Sequence, residues 1–225
     1  MKKPIVDYRN FRLRKINDPE FAHLKYLIGW IGYFFLYFIT ENFIPVKNCY
    51  VIHSRIDDLV PFCEFFVIPY VFWYFLIVAS LLYFALYNVK SFKQLMKFII
   101  ITQIVAMIIY IIFPNRQDLR PDAFATDNIL TKVVSFLYSF DTNTNVCPSL
   151  HVAISIGIAS VWLKEKDASL ILKIFILVSA VTICLSTVFI KQHSVIDGFV
   201  AIILCLFAEI IVYGKDYWIK KFKTK

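Results

Sequence analysis

Two histidines sit in short polar stretches that interrupt long apolar ones: His151 in Cys147-Pro148-Ser149-Leu150-His151, and His193 in Lys191-Gln192-His193-Ser194-Val195-Ile196-Asp197. His193 and Asp197 are four residues apart, so on a helix they share a face. The carboxylate can then accept the Nδ1 proton of the imidazole and leave Nε2 free to attack phosphorus. By itself the pair also fits a couple that simply neutralises itself in a helix bundle. An ionisable group within an apolar helix is nevertheless read as functional first, because it is costly there unless paired. His151 follows Ser149 in what reads as the first turn of a helix. Free amides and the positive end of the helix dipole favour an anion at that place, and an imidazolium there can protonate a leaving oxygen. Without its companion this stretch would read as a capping serine beside a satisfied histidine. Arg116, Arg120 and Lys191 bring positive charge to the same segments. The set suits phosphoryl transfer, with His193 as nucleophile, Asp197 as its orienting group and His151 as general acid.

Six apolar stretches must position these residues: 24–44, 65–87, 95–113, 148–163, 170–190 and 195–213. A membrane-spanning helix needs about 20 mostly apolar residues. The fourth stretch is the shortest, with Pro148 as its expected first helical residue. Of the chain's 225 residues 60% are hydrophobic and only 18% charged, and the mean hydropathy is +0.68. That is far more apolar than a soluble domain, so the expected fold is an all-α integral membrane bundle of six transmembrane helices. Residues 1–23 form a basic segment before it and residues 214–225 a basic tail after it; no cleavable leader and no internal repeat is read. In the loop 114–147 apolar residues recur at helical spacing from Phe124 to Phe140, after Thr126 and Asp127 as caps. They predict a short amphipathic helix on the outer face, a packing element more readily than a lid.

The net charge of +8 lies beside apolar stretches without a nucleic-acid motif, so it sets orientation and excludes a nucleic-acid partner. Of the 24 Lys and Arg residues, only Lys47, Arg55, Arg116, Arg120, Lys132 and Lys191 fall on the side that holds both histidines. Both termini are therefore expected in the cytoplasm and the reactive residues at the outer face of the cell membrane. The cysteines at 49, 63, 147, 184 and 205 show no metal-ligand spacing, and neither a metal nor a cofactor is expected. His53, Arg55, Asp57 and Asp58 read as a solvated loop. Glu209, three turns beyond Asp197, is expected to snorkel or to pair with a base.

The three segments together resemble the type 2 phosphatidic acid phosphatase superfamily, which includes lipid phosphatases, bacterial acid phosphatases and vanadium haloperoxidases. The resemblance covers roughly residues 113–200. Arg120-Pro121 matches the end of the superfamily's first motif; Pro148, Ser149 and His151 match the second; Ser186, His193 and Asp197 match the third. Three positions depart: Phe113 stands for Lys, Leu150 for Gly and Thr187 for Arg. Arg116 and Lys191 are the expected substitutes for the missing charges. Leu150 and the Lys just before the histidine resemble the branch that includes sphingolipid phosphotransferases. The resemblance implies that Arg116, Arg120, Lys191 and the amides near Ser149 hold a phosphate, that His193 attacks it, and that a lipid phosphate or diphosphate is the substrate. The rival expectations are transfer of the phospho-head group to an acceptor alcohol, and a catalytically silent membrane scaffold or transporter.

Overall fold

The computed structural model describes residues 4–43 and 45–219, and of residues 140, 215 and 216 the backbone alone. The expected basic ends at Lys2, Lys3 and beyond residue 219, and the last residue of the first apolar stretch, lie outside the described residues. After short 3-10 turns between Tyr8 and Leu27 come α1 (Ile28–Phe43), the two-residue strand β1 (Tyr50–Val51), α2 (Arg55–Leu59), α3 (Val67–Tyr87) and α4 (Val89–Ile112). They are followed by β2 (Asn115–Arg116), α5 (Ile129–Phe140), α6 (Leu150–Lys164), α7 (Leu170–Phe189) and α8 (Val195–Tyr213). The strands pair in parallel, Tyr50 opposite Asn115 and Val51 opposite Arg116, and tie the two long loops together.

Among the described residues five helical stretches, not six, are long and apolar enough to cross a membrane: Ala22–Phe43, Glu64–Tyr87, Val89–Ile112, Leu170–Phe189 and Val195–Tyr213. The sixth expected crossing is α6, with only 15 residues. It begins two residues later than expected, because Ser149 is the N-cap, its side chain accepting from the Val152 amide. Packing explains the short length. Helix α6 contacts α3, α4, α7 and α8 and is buried on nearly every side from Leu150 to Trp162, so protein rather than lipid surrounds it. Its closest neighbour passes at Gly157, where an added Cβ would lie 2.6 Å from the Phe98 ring of α4. Helix α4 also starts earlier than expected, at Val89, capped by Asn88. Its Lys90, Lys93 and Lys97 are exposed and cost the helix nothing.

The amphipathic helix forms as α5, although Asn128 caps it rather than Thr126 or Asp127. Its inner residues Val134 and Leu137 pack on Val67, Tyr70 and Ile190, while Ile129 and Phe136 stay exposed. At the opposite end of the bundle the N-terminal segment docks on the α3–α4 corner, through the Ile5 amide on Leu86 O (2.8 Å) and the Tyr8 hydroxyl on Ala85 O (3.0 Å). The same end holds Asn88 against Glu165 (2.7 Å) and the Lys164–Glu209 ion pair (2.6 Å), the base expected for Glu209.

Candidate active site

The turn between α7 and α8 is built by its backbone. Lys191 takes a left-handed conformation (φ 55°), and the amides of Gln192 and His193 both donate to Thr187 O, each at 2.9 Å. This reverses the chain within a few residues and turns 192 and 193 toward the bundle. Ser194 caps α8 and Asp197 closes a capping box with it. The same Asp197 Oδ2 accepts from the Ser194 amide (2.9 Å) and faces His193 Nδ1 (3.2 Å). A carboxylate placed by helix capping thus fixes the imidazole and leaves Nε2 for chemistry.

The start of α6 is held with equal economy. Buried Asn115 accepts the Val146 and Cys147 amides on Oδ1 (2.9 and 2.8 Å) and donates to Cys147 O (3.0 Å). Tyr110 donates to Pro148 O (2.6 Å), and the Ser149 amide donates to Asp197 O (3.1 Å), which joins the start of α6 directly to α8. Burial and the adjacent Asp197 carboxylate push the Cys147 thiol up to about 12, so it stays a neutral thiol at any physiological pH. His151 stacks on Tyr70 and Trp73, with centroids 4.5 and 4.2 Å apart. It meets His193 edge-on at 5.7 Å.

Both histidines line a cavity of about 60 Å³ together with Tyr33, Tyr37, Trp73, Tyr110, Asp141 and Gln192. A water needs roughly 10–15 Å³ of such space, so the cavity admits several waters or a small polar group. Among the described residues, three that line it each carry a buried side-chain atom without a hydrogen-bond partner: His151 Nε2, Gln192 Nε2 and Asn145 Oδ1. Buried polar groups are nearly always satisfied, which marks the cavity as a place for a polar ligand.

The expected phosphate-holding bases are placed differently. Ser149 caps α6 and is fully buried, next to the lining residues Leu150 and His151 but not itself on the cavity wall. Arg120 stands behind the cavity, donating to Asp141 O (2.6 Å), Thr142 O (2.8 Å), Tyr138 O (3.1 Å) and Gln192 Oε1 (2.5 Å). It lies 4.3 Å from the Tyr138 ring centre. Burial lowers its pKa, and the Asp141 carboxylate works against that loss. Arg116 and Lys191 do not reach the cavity wall. Arg116 bonds Asp118 (3.1 Å) and Val46 O (3.0 Å). Lys191 Nζ donates to Asp57 O (2.8 Å) and Val60 O (2.6 Å), and burial outweighs Asp57 and Asp58 in lowering its pKa. The left-handed turn that presents Gln192 and His193 is what sends the Lys191 side chain the other way.

The loop expected to be solvated supplies a structural group. Asp57 is 1% exposed and accepts from the Ser194 hydroxyl (2.6 Å), the Val195 amide (2.8 Å) and the Ser54 amide (2.7 Å). His53 and Asp58 do form an exposed pair (2.8 Å). Ser54 and Asp57 carry a legible capping pattern, but nothing local reveals a partner 137 positions away. Asp141, which accepts from Tyr37 (3.2 Å) and Tyr70 (2.9 Å), gave no signal beyond its charge.

The family model of the PAP2 superfamily matches residues 94–221, from α4 through α8. The chain belongs to the PAP2 (phosphatidic acid phosphatase type 2) superfamily. That superfamily broadly includes lipid phosphatases and phosphotransferases. No curated protein and no solved structure matches the chain.

Proposed function

We propose that this chain is a lipid phosphate phosphohydrolase that passes the phosphoryl group through His193. The observation that carries the proposal is the His193–Asp197 pair, with His193 on the wall of a cavity that His151 also lines. His193 Nε2 attacks phosphorus, the P–O bond to the lipid breaks, and His151 protonates the departing oxygen. Water then gives a proton to His151, attacks the phosphohistidine and releases inorganic phosphate. Asp197 holds the reactive tautomer and balances the charge that develops on the ring. Positive potential comes from the first-turn amides of α6 beside Ser149 and from Arg120 behind the cavity wall. These groups take the place of a divalent cation. Arg116 and Lys191, tied to loop carbonyls, hold the frame instead of the phosphate.

In this reading α6 completes six crossings, protein on all sides making up for its length. The basic end of the bundle faces the cytoplasm with both termini, and the histidines open to the outer leaflet of the cell membrane. The exposed Ile129 and Phe136 of α5 rest in that leaflet, so the lipid alcohol stays in the membrane while its phosphate enters the cavity.

The test is phosphate release by detergent-purified protein, without added metal, from a panel of lipid monophosphates and diphosphates. His193→Ala and Asp197→Asn are expected to lower kcat on the order of 10³-fold or more in protein that remains folded. Full activity in His193→Ala refutes the mechanism. Turnover that appears only with an added acceptor alcohol converts the reading from hydrolysis to transfer.

A further inference from the structure

The superfamily motif's arginine is replaced by Thr187, and the nearest base, Lys191, is turned onto the Asp57 and Val60 carbonyls. Its neighbour Gln192 faces the other way. Gln192 is 2% exposed, lines the same cavity as His151 and His193, and has a side-chain nitrogen with no partner. Its orientation follows from chemistry. The atom facing the Arg120 guanidinium at 2.5 Å must be the oxygen, since a guanidinium only donates. The two N–H bonds therefore belong to the nitrogen left unpaired on this cavity-lining side chain.

On these grounds we infer that Gln192 is a phosphate-binding catalytic residue, whose Nε2–H groups donate to the phosphoryl oxygens as His193 attacks. Arg120 is its positioning residue. Bonded to Gln192 Oε1 and to the Tyr138, Asp141 and Thr142 carbonyls, it fixes the amide plane and polarises it, so the Nε2 protons carry part of the guanidinium charge. A neutral donor presented by a half-buried cation does the work of the missing motif arginine. It is already in place before substrate arrives, which is what stabilisation of developing charge requires. The inference rests on the phosphoryl-transfer reading above and names a further residue of that site.

Two variants test it in the full-length protein. Gln192→Leu keeps the bulk and removes the donor; Gln192→Glu keeps the Arg120 partner, as a stronger ion pair, and turns a carboxylate oxygen toward phosphate. Turnover is measured with the best lipid phosphate of the panel. Affinity for orthovanadate, which adopts the five-coordinate geometry of phosphoryl transfer, is measured by thermal shift. Both variants are expected to lose about 10²–10³ in kcat, the effect of deleting one oxyanion donor, with KM changed much less and orthovanadate affinity weakened in parallel. Gln192→Glu is expected to keep the wild-type thermal midpoint, which separates the loss from misfolding. Wild-type kcat or wild-type orthovanadate affinity in a folded Gln192→Glu protein overturns the inference while leaving His193-dependent turnover intact. A wild-type protein without His193-dependent turnover sinks the phosphohydrolase reading instead, and the role of Gln192 is then decided by orthovanadate affinity alone.

Discussion

Asp57 offers the sharpest test of how the reactive histidine is held. Its carboxylate accepts from the Ser194 hydroxyl, the Val195 amide and the Ser54 amide at 2.6–2.8 Å while almost wholly buried. Replacing it by alanine leaves three donors without their acceptor. A hydroxyl can turn elsewhere, but each orphaned buried amide costs about 1–3 kcal/mol, so Asp57→Ala should cost roughly 3–5 kcal/mol, as for breaking a buried charged contact. That is a large part of the ~5–15 kcal/mol that stabilises an ordinary domain. The damage falls first on the segment 191–195, because Lys191 is bound to the same loop. We expect a clearly lowered thermal midpoint and at least a tenfold drop in kcat for lipid phosphate. Asp57→Asn keeps one acceptor oxygen and should lose about 1–3 kcal/mol. Asp58→Ala is the internal control, since its bond to His53 is exposed and such pairs contribute about 0–1 kcal/mol. A wild-type midpoint and kcat in Asp57→Ala would refute the argument that this loop holds His193 in place.

Two further predictions concern the frame. Lys191→Met should lower the thermal midpoint by stranding the Asp57 and Val60 carbonyls, yet leave orthovanadate affinity near wild type in protein that remains folded; a selective loss of anion affinity would return Lys191 to the phosphate site. Gly157→Ala places a methyl 2.6 Å from the Phe98 ring and should destabilise the bundle by about 1–3 kcal/mol through overpacking, read as a shift of the unfolding midpoint in detergent. An unshifted midpoint would mean that α4 and α6 can part without cost.

What the sequence determined by itself is whatever depends on periodicity, hydropathy and local spacing. The all-α class, the five long apolar helices, the amphipathic α5 and the His193–Asp197 pair all belong to this group, because a helix turn brings residues four apart together wherever it lies in space. Helix capping is equally local, although Pro148 reads as the first residue of α6, which Ser149 in fact caps. The superfamily was legible for the same reason, since its motifs are short and continuous. Tertiary structure decided everything that depends on contacts between distant segments. Helix α6 is shorter than lipid would demand because four other helices enclose it. Asp57 reads as a solvated acid in its own loop and becomes a buried acceptor only when α8 arrives. The linear chain offers Lys191 as the phosphate-binding candidate and gives Gln192 no role, yet one left-handed residue sends the first out to a loop and leaves the second lining the cavity. A residue's type and neighbours establish what it can do, but the direction of its side chain is set by backbone dihedrals and packing that local spacing does not encode.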